Sequence, residues 1–212
     1  TLPGKAQERA EAFREIRRIR EDDPALDQLL ALARAEPPSP EHAELLRAKI
    51  ARVVGVDEQR ALRMELAELL LGDLGDEEGG IAELEAVRSL DPSFTEGLER
   101  LAALYEARGD SARLADVLWS RLGSTLEPAA RVPLARRLHE LHAGAARDDD
   151  KAITALFTWA EADPADLAPV EALLPLLEAK GRAAELVDAL DTLAADEERE
   201  DRALLVARAA SL

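Results

Sequence analysis

Two stretches of 32 residues decide the fold of this 212-residue chain: Asp91–Leu122, DPSFTEGLERLAALYEARGDSARLADVLWSRL, and Asp163–Ala194, DPADLAPVEALLPLLEAKGRAAELVDALDTLA. Aligned from their Asp-Pro pairs, they share 12 identical residues at an offset of 163 − 91 = 72. The same offset superimposes three leucines that precede the first Asp-Pro pair on three that lie between the two pairs: Leu62, Leu66 and Leu69 on Leu134, Leu138 and Leu141. The chain therefore repeats with a period of 72 residues, which is enough for two alternating helical hairpins.

The apolar residues of these stretches follow the period of an α-helix. One stripe stands at positions i, i+3, i+4 and i+7: Leu98, Leu101, Ala102 and Tyr105. Gly109-Asp110 is placed to end this helix and to begin the next, because glycine accepts the left-handed conformation and aspartate caps free N–H groups. No stripe is wide enough to enclose a core of its own. Each helix must therefore bury its stripe against its neighbours, as in a solenoid.

The pattern predicts an all-α chain of about twelve helices, at residues 6–20, 24–36, 40–54, 57–72, 76–90, 94–108, 111–123, 128–143, 148–162, 165–180, 182–195 and 198–211. Ala, Leu, Glu and Arg dominate the composition, which favours helix. Pro37-Pro38-Ser39-Pro40 makes the clearest connector, so we expect one repeat domain over residues 1–212 with a weak break near 36–40. The first and last segments each resemble half a hairpin, and we expect a fragment of a longer array.

The unit Leu98…Leu101-Ala102…Tyr105…Gly109-Asp110…Leu118, preceded by Asp91-Pro92, resembles a tetratricopeptide repeat. The segment Ala152…Leu156…Asp163-Pro164 is similar to the second helix of another such repeat. The resemblance extends over nearly the whole chain, although Leu114 and Leu186 stand where the family prefers a small residue. It implies a right-handed α-solenoid of antiparallel helical hairpins that works by binding another protein.

Composition excludes several classes of function. A net charge of −17 repels phosphate backbones and anionic membranes, so we predict neither nucleic-acid binding nor membrane insertion. No apolar run approaches the roughly 20 residues of a membrane-spanning helix. The chain has no cysteine, which excludes disulfides and thiolate chemistry. We expect a cytoplasmic, bacterial protein; the lack of cysteine suits a periplasmic one equally, and the oligomeric state stays open.

Few residues suggest chemistry. His139 and His142 form the only histidine pair, but zinc-binding helical pairs are usually spaced i, i+4 and have a further ligand. Asp148-Asp149-Asp150 opens a predicted helix, where carboxylates cap N–H groups and complement the helix dipole. No phosphate-binding glycine loop and no G-x-S-x-G motif occurs. We therefore predict no catalytic residue, no metal and no cofactor.

The resemblance also indicates a binding surface, because in that family the first helix of each hairpin lines a concave groove. It assigns seven residues to this groove: Glu96, Glu99, Ala103, Glu106, His139, Glu171 and Glu178. The basic carboxylate clamp of the chaperone-binding members is missing here. An acidic groove would take a basic or amphipathic peptide or helix, and the alternative is a face that is only solvated.

Two aromatic residues suggest a second surface, on the convex side. Trp119 aligns with Asp191 and Phe157 aligns with Glu85, so both occupy positions where the sibling repeat carries a carboxylate. Such positions are expected to be exposed to solvent, and two aromatic side chains there would make an exposed apolar patch. The alternative is that irregular repeats bury both side chains locally. Trp159, in contrast, aligns with a valine and is predicted to lie in the core.

These observations favour a scaffold or adaptor that binds a partner protein or peptide through the acidic groove or the aromatic patch. The alternative is a regulatory or substrate-recruiting domain of a larger enzyme or machine. A stand-alone enzyme is the least favoured reading, since only the two histidines could support it.

Overall fold

The computed structural model describes residues 24–144, 148–195 and 202–210. Within these ranges the chain is all-α, with eleven helices and no strand. In chain order they are α1 (Pro24–Arg34), α2 (Pro40–Ile50), α3 (Val56–Leu71), α4 (Glu77–Leu90), α5 (Thr95–Arg108), α6 (Ser111–Ser124), α7 (Pro128–Ala143), α8 (Asp149–Ala162), α9 (Ala168–Lys180), α10 (Ala183–Ala194) and α11 (Arg202–Ala209). The predicted fold class is confirmed, and the predicted helix at residues 6–20 lies outside the described residues.

The chain divides into two compact units, Thr1–Leu101 and Ala102–Leu212, and the boundary falls inside α5. Helices that follow one another in sequence pack against one another from α1 to α4 in the first unit and from α6 to α11 in the second. The α3–α4 and α7–α8 pairs have the most extensive contacts, and five residues connect the two helices of each pair. Because so short a connection reverses the chain, neighbouring helices are antiparallel. Each unit is thus a stack of helical hairpins.

The predicted apolar stripes are the buried faces of these helices. Leu98, Leu101 and Tyr105 are fully buried on α5, with at most 1% of each side chain exposed. On α6 four residues at positions i, i+3, i+4 and i+8 are buried: Leu114, Val117, Leu118 and Leu122. Burial of a side chain of this size contributes about 1.5 to 3 kcal/mol. Stripe packing is therefore the main source of stability, as the periodicity predicts.

Each unit has its own hydrophobic cluster, shared by several helices. In the first unit α1, α2 and α3 contribute Leu26, Leu30, Ala43, Leu45, Leu46, Ile50, Leu62, Leu66, Leu69 and Leu70. In the second unit α7 to α11 contribute Ala135, Ile153, Leu156, Trp159, Val170, Leu173, Leu177, Leu186, Ala189, Leu190, Leu193, Ala194 and Leu205. Trp159 is 7% exposed, which confirms its predicted place in the core. Since no single helix encloses a cluster, the hairpins stabilise one another.

Aspartates begin three of the even-numbered helices. The carboxylates of Asp76, Asp110 and Asp148 each accept a hydrogen bond from the backbone N–H three residues later, at 2.9, 3.1 and 3.1 Å. Asp76 and Asp148 are 72 residues apart and so have the same role in successive copies of the repeat. Gly109 and Gly181 adopt φ values of +68° and +66°, which side chains disfavour. The turn chemistry read from Gly109-Asp110 is confirmed.

α9 and α2 each differ from the prediction at one end, where a side chain holds the neighbouring loop. α9 begins at Ala168 rather than at residue 165, since one carboxylate oxygen of Asp166 accepts the Ala168 N–H at 3.0 Å. The other oxygen accepts the Trp159 indole N–H at 3.1 Å, which ties the loop to the core. α2 ends at residue 50 rather than 54, and the Gln59 side chain donates to the carbonyl of Val53 in the loop that follows.

Candidate protein-interaction surfaces

The seven residues of the predicted groove all lie on α5, α7 and α9, which are first helices of hairpins and are called odd helices below. Glu96 and Glu99 belong to the first unit, and the other five belong to the second. The six residues on α5 and α9, namely Glu96, Glu99, Ala103, Glu106, Glu171 and Glu178, are exposed. His139 on α7 is half-buried.

Ion pairs connect each of several odd helices to the next odd helix in its unit. The first unit contains Arg34–Glu65 at 2.6 Å and Glu68–Arg100 at 2.5 Å. The second unit contains Glu106–Arg137 at 2.8 Å and Glu178–Arg208 at 2.8 Å. The partners are 30 to 32 residues apart in sequence, about one hairpin. These four pairs are called the ion-pair ladder.

In two of these pairs the arginine also contacts a second glutamate, and each such group of one arginine and two glutamates is called a rung. Arg100 contacts Glu68 and also Glu96, at 2.9 Å, one turn earlier on its own helix. Arg137 contacts Glu106 and also Glu140, at 3.0 Å, one turn later on its own helix. Each rung therefore has a net charge of −1. Three glutamates of the predicted groove therefore contact an arginine: Glu96, Glu106 and Glu178.

The ladder orients side chains more than it stabilises the fold. Its side chains are between 31% and 61% exposed, and ion pairs exposed to water contribute only about 0 to 1 kcal/mol each. The Arg34–Glu65 pair is bidentate, with a second hydrogen bond of 2.7 Å. The hydrogen bonds from Arg34 hold the pKa of the Glu65 carboxyl below its usual value, although partial burial opposes this effect. The Glu65 carboxylate thus stays ionised at neutral pH, and its two hydrogen bonds to Arg34 fix its position.

The first unit also has a cleft of about 470 Å³ between α1, α2 and α3. Lys49 on α2 bonds Asp27 on α1 at 2.7 Å and lies 3.8 Å from Glu58 on α3. Leu30 and Leu62 are among the apolar residues that line the cleft. Its walls are therefore charged and ion-paired while part of its surface is apolar, a combination that suits an amphipathic segment.

The two histidines of α7 face packed surroundings. The Nδ1 atoms of His139 and His142 are both buried and have no hydrogen-bond partner among the described residues. Burial lowers the pKa of each imidazole below its ordinary value. In the part of the chain that the structure describes, no group of three or more His, Asp or Glu side chains is arranged to hold a metal ion.

The two aromatics of the predicted patch are partly buried, and each has contacts within the second unit. Trp119 on α6 donates its indole N–H to Nε2 of His142 on α7 at 3.0 Å. Phe157 on α8 packs against the hydrophobic cluster of α7 to α11. The hydrogen bond of Trp119 was not foreseen from the sequence, since repeat alignment compares positions and not pairs.

The cations of the ladder were also missed by the sequence analysis. Arg100 and Arg137 both lie on odd helices, 32 and 31 residues after their glutamate partners. A search for opposite charges separated by one hairpin would have found them, because that spacing brings residues of successive odd helices together.

No described helix has both the length and the continuous apolar character needed to cross a lipid bilayer.

The fold and these surfaces define an all-α helical-repeat protein built from antiparallel hairpins. No protein-family model matches the chain, and no curated protein matches it. Two solved structures similar to it are entitled "Crystal structure of MamA" and "Crystal structure of MamA protein". The first is 18% identical, covers 72% of this chain and 86% of its own, and has a TM-score of 0.37. The second is 17% identical in sequence, and the match covers 84% of this chain and 93% of the other chain with a TM-score of 0.39. Since both TM-scores are below 0.5, the assignment rests on the helices themselves.

Proposed function

We propose that this chain is a protein-interaction scaffold that binds a basic or amphipathic peptide or helix along its odd helices. The observation that supports this most directly is the pair of rungs in which one arginine is shared by two glutamates. Each rung carries a surplus carboxylate that is held in place and open to solvent. The proposal concerns each unit separately.

A basic side chain of the partner can join such a rung without displacing its arginine. An ionised carboxylate has about four lone-pair sites, and a single guanidinium contact leaves most of them free. The side chains of Glu106 and Glu140 are 61% and 52% exposed, so these sites face water. A lysine or arginine placed there would form charge-assisted hydrogen bonds to oxygens whose positions are already fixed. Fixing them beforehand lowers the entropic cost of binding.

The spacing of the rungs indicates an extended partner. Residues of successive odd helices come together once per hairpin, so charged positions recur along the stack in each unit. A peptide or helix with basic residues at intervals can contact several such positions at once. The net charge of −17 adds long-range attraction for a basic partner and raises its association rate.

The aromatic patch is less suited to this role. Trp119 is held by His142, and Phe157 packs on the cluster of the second unit. Freeing either side chain for a partner would first break a contact inside the chain. We therefore assign binding to the odd helices rather than to the patch.

The experiment is an affinity capture from a lysate of the source cell, quantified by mass spectrometry. The variant Glu106→Gln with Glu140→Gln removes both carboxylates of one rung. The matched control, Asp188→Asn with Asp191→Asn, makes the same change of charge at exposed positions of α10, an even helix. Circular dichroism first establishes that all three proteins are equally helical.

We expect a specific partner to be captured by the native chain and by the α10 control, and to be lost from the rung variant. Loss of one or two charge-assisted contacts predicts a reduction of about tenfold or more. Equal loss from both variants would mean that net charge alone attracts the partner. Undiminished capture by the rung variant would refute binding at the ladder and direct attention to Trp119 and Phe157.

A further inference from the structure

Two hydrogen bonds of the buried residue His142 connect three helices. His142 stands in the last turn of α7 and is 3% exposed. Its Nε2 accepts the indole N–H of Trp119 from α6 at 3.0 Å, and the ring centroids are 6.1 Å apart. Its backbone carbonyl accepts the N–H of Asp148, the residue that caps α8, at 3.0 Å. The ring and the backbone of one residue therefore hold both neighbouring helices.

The donor determines the protonation state of the ring. An indole N–H can only donate, so Nε2 of His142 must present a lone pair. The proton of the neutral imidazole consequently lies on Nδ1, which is buried and has no hydrogen-bond partner among the described residues. A second proton could enter only at Nε2, where it would point at the N–H of Trp119.

Protonation is therefore incompatible with this hydrogen bond. Two N–H groups would face each other with their nitrogens about 3 Å apart, and among the described residues a buried imidazolium would have no acceptor at either nitrogen. We propose that Trp119 and His142 form a proton-operated latch between α6 and α7, closed while His142 is neutral and opened when Nε2 is protonated. Opening releases the indole of Trp119, one of the two residues of the aromatic patch. The latch is independent of the proposed partner.

The charged groups around the ring come from α6 and from the start of α8. Asp116 on α6 and Asp148 before α8 favour the imidazolium, whereas Lys151 in the first turn of α8 opposes it. On α7 itself, His139 lies one turn before His142. Burial is the largest influence, and together with Lys151 it lowers the pKa of His142 below the ordinary value of 6.5. The latch is therefore closed at neutral pH and opens only as the pH falls below 6.5.

Nuclear magnetic resonance of the ¹⁵N-labelled native chain tests this directly. Long-range ¹H–¹⁵N correlations of the His142 ring report which nitrogen carries the proton, and the indole signal of Trp119 reports its hydrogen bond. At pH 8 we expect an unprotonated Nε2 and a protonated Nδ1. As the pH falls, exchange of the Trp119 indole proton with water should accelerate by roughly five- to tenfold, because one hydrogen bond is lost. The midpoint of this change should coincide with the midpoint of the His142 ring titration.

Two variants separate the latch from general acid effects. In His142→Gln the amide oxygen can accept the indole N–H but does not titrate in this range, so the transition of Trp119 should disappear. In His139→Gln the transition should remain. A proton on Nε2 at pH 8 would overturn the proposal in the native chain alone, without any variant. The proposal would also be overturned if the Trp119 indole signal did not change as His142 titrates, or if the transition persisted in His142→Gln. An imidazole of His142 that stays neutral until the helices unfold would overturn it as well.

Discussion

Shortening Leu84 or Leu156 to alanine removes a fully buried side chain from equivalent positions in two copies of the repeat. The two residues are 156 − 84 = 72 positions apart, lie on α4 and α8, and are each 0% exposed. The substitution removes three carbon atoms, worth about 2.4 kcal/mol at about 0.8 kcal/mol per buried methylene. The cavity that remains raises the cost to about 3 to 4 kcal/mol. We expect both variants to be destabilised by this amount.

Urea unfolding followed by circular dichroism measures the effect. With a dependence of about 2 kcal/mol per molar urea, each midpoint should fall by about 1.5 to 2 M. The repeat supplies a matched control, since Val54 and Leu126 are also 72 residues apart but are 92% and 89% exposed. Their alanine variants should change stability by less than about 0.5 kcal/mol. If Leu84→Ala or Leu156→Ala cost less than about 1 kcal/mol, the equivalence of the two cores would be refuted.

Three further predictions follow from local features. Gly109→Ala should cost about 1 kcal/mol because Gly109 has φ of +68°, whereas Gly123→Ala should gain a few tenths of a kcal/mol because Gly123 is helical and has no atom near the added methyl group; thermal unfolding distinguishes the signs. A double-mutant cycle on Glu106 and Arg137 should give a coupling below about 1 kcal/mol that decreases as salt is added, and a coupling that persists in 1 M salt would contradict the exposed geometry. Because the folded pKa of His142 is lowered, the unfolded chain takes up this proton first as the pH falls, so its contribution to stability is complete above about pH 6.5 and is lost as the pH falls through the folded pKa. Urea midpoints between pH 8 and 5 should therefore decline in the native chain more than in His142→Gln.

Most of the fold follows from patterns that each copy of the repeat contains. The apolar stripe that includes Leu101 predicted burial correctly, because apolar residues at helical spacing lie on one face of the helix and that face packs against the core. The Asp110 cap was predictable because its hydrogen bond is local. The start of α9 was not predictable, because the carboxylate of Asp166 bonds the indole of Trp159, seven residues away, as well as the backbone of the loop.

The candidate surfaces could be predicted only in part. The groove residues on α5 and α9 lie on exposed helix faces, and their role in binding stays a prediction. The arginines that bind Glu106 and Glu178 come from other helices and were not predicted. The surroundings of Trp119 could not be read from alignment, because its partner His142 corresponds to a leucine, Leu70, in the sibling repeat. A contact that occurs in only one copy of the repeat cannot be found by looking for features that aligned copies share.

The measurement that tests the central proposal most directly is a photo-crosslinking map of the bound partner. A photoreactive residue at Ala103 lies on the exposed face of α5, one turn from Glu106, and the same residue at Ala184 lies on the exposed face of α10. We expect a crosslinked partner from position 103 and none from position 184. A crosslink from position 184 alone would contradict binding along the odd helices.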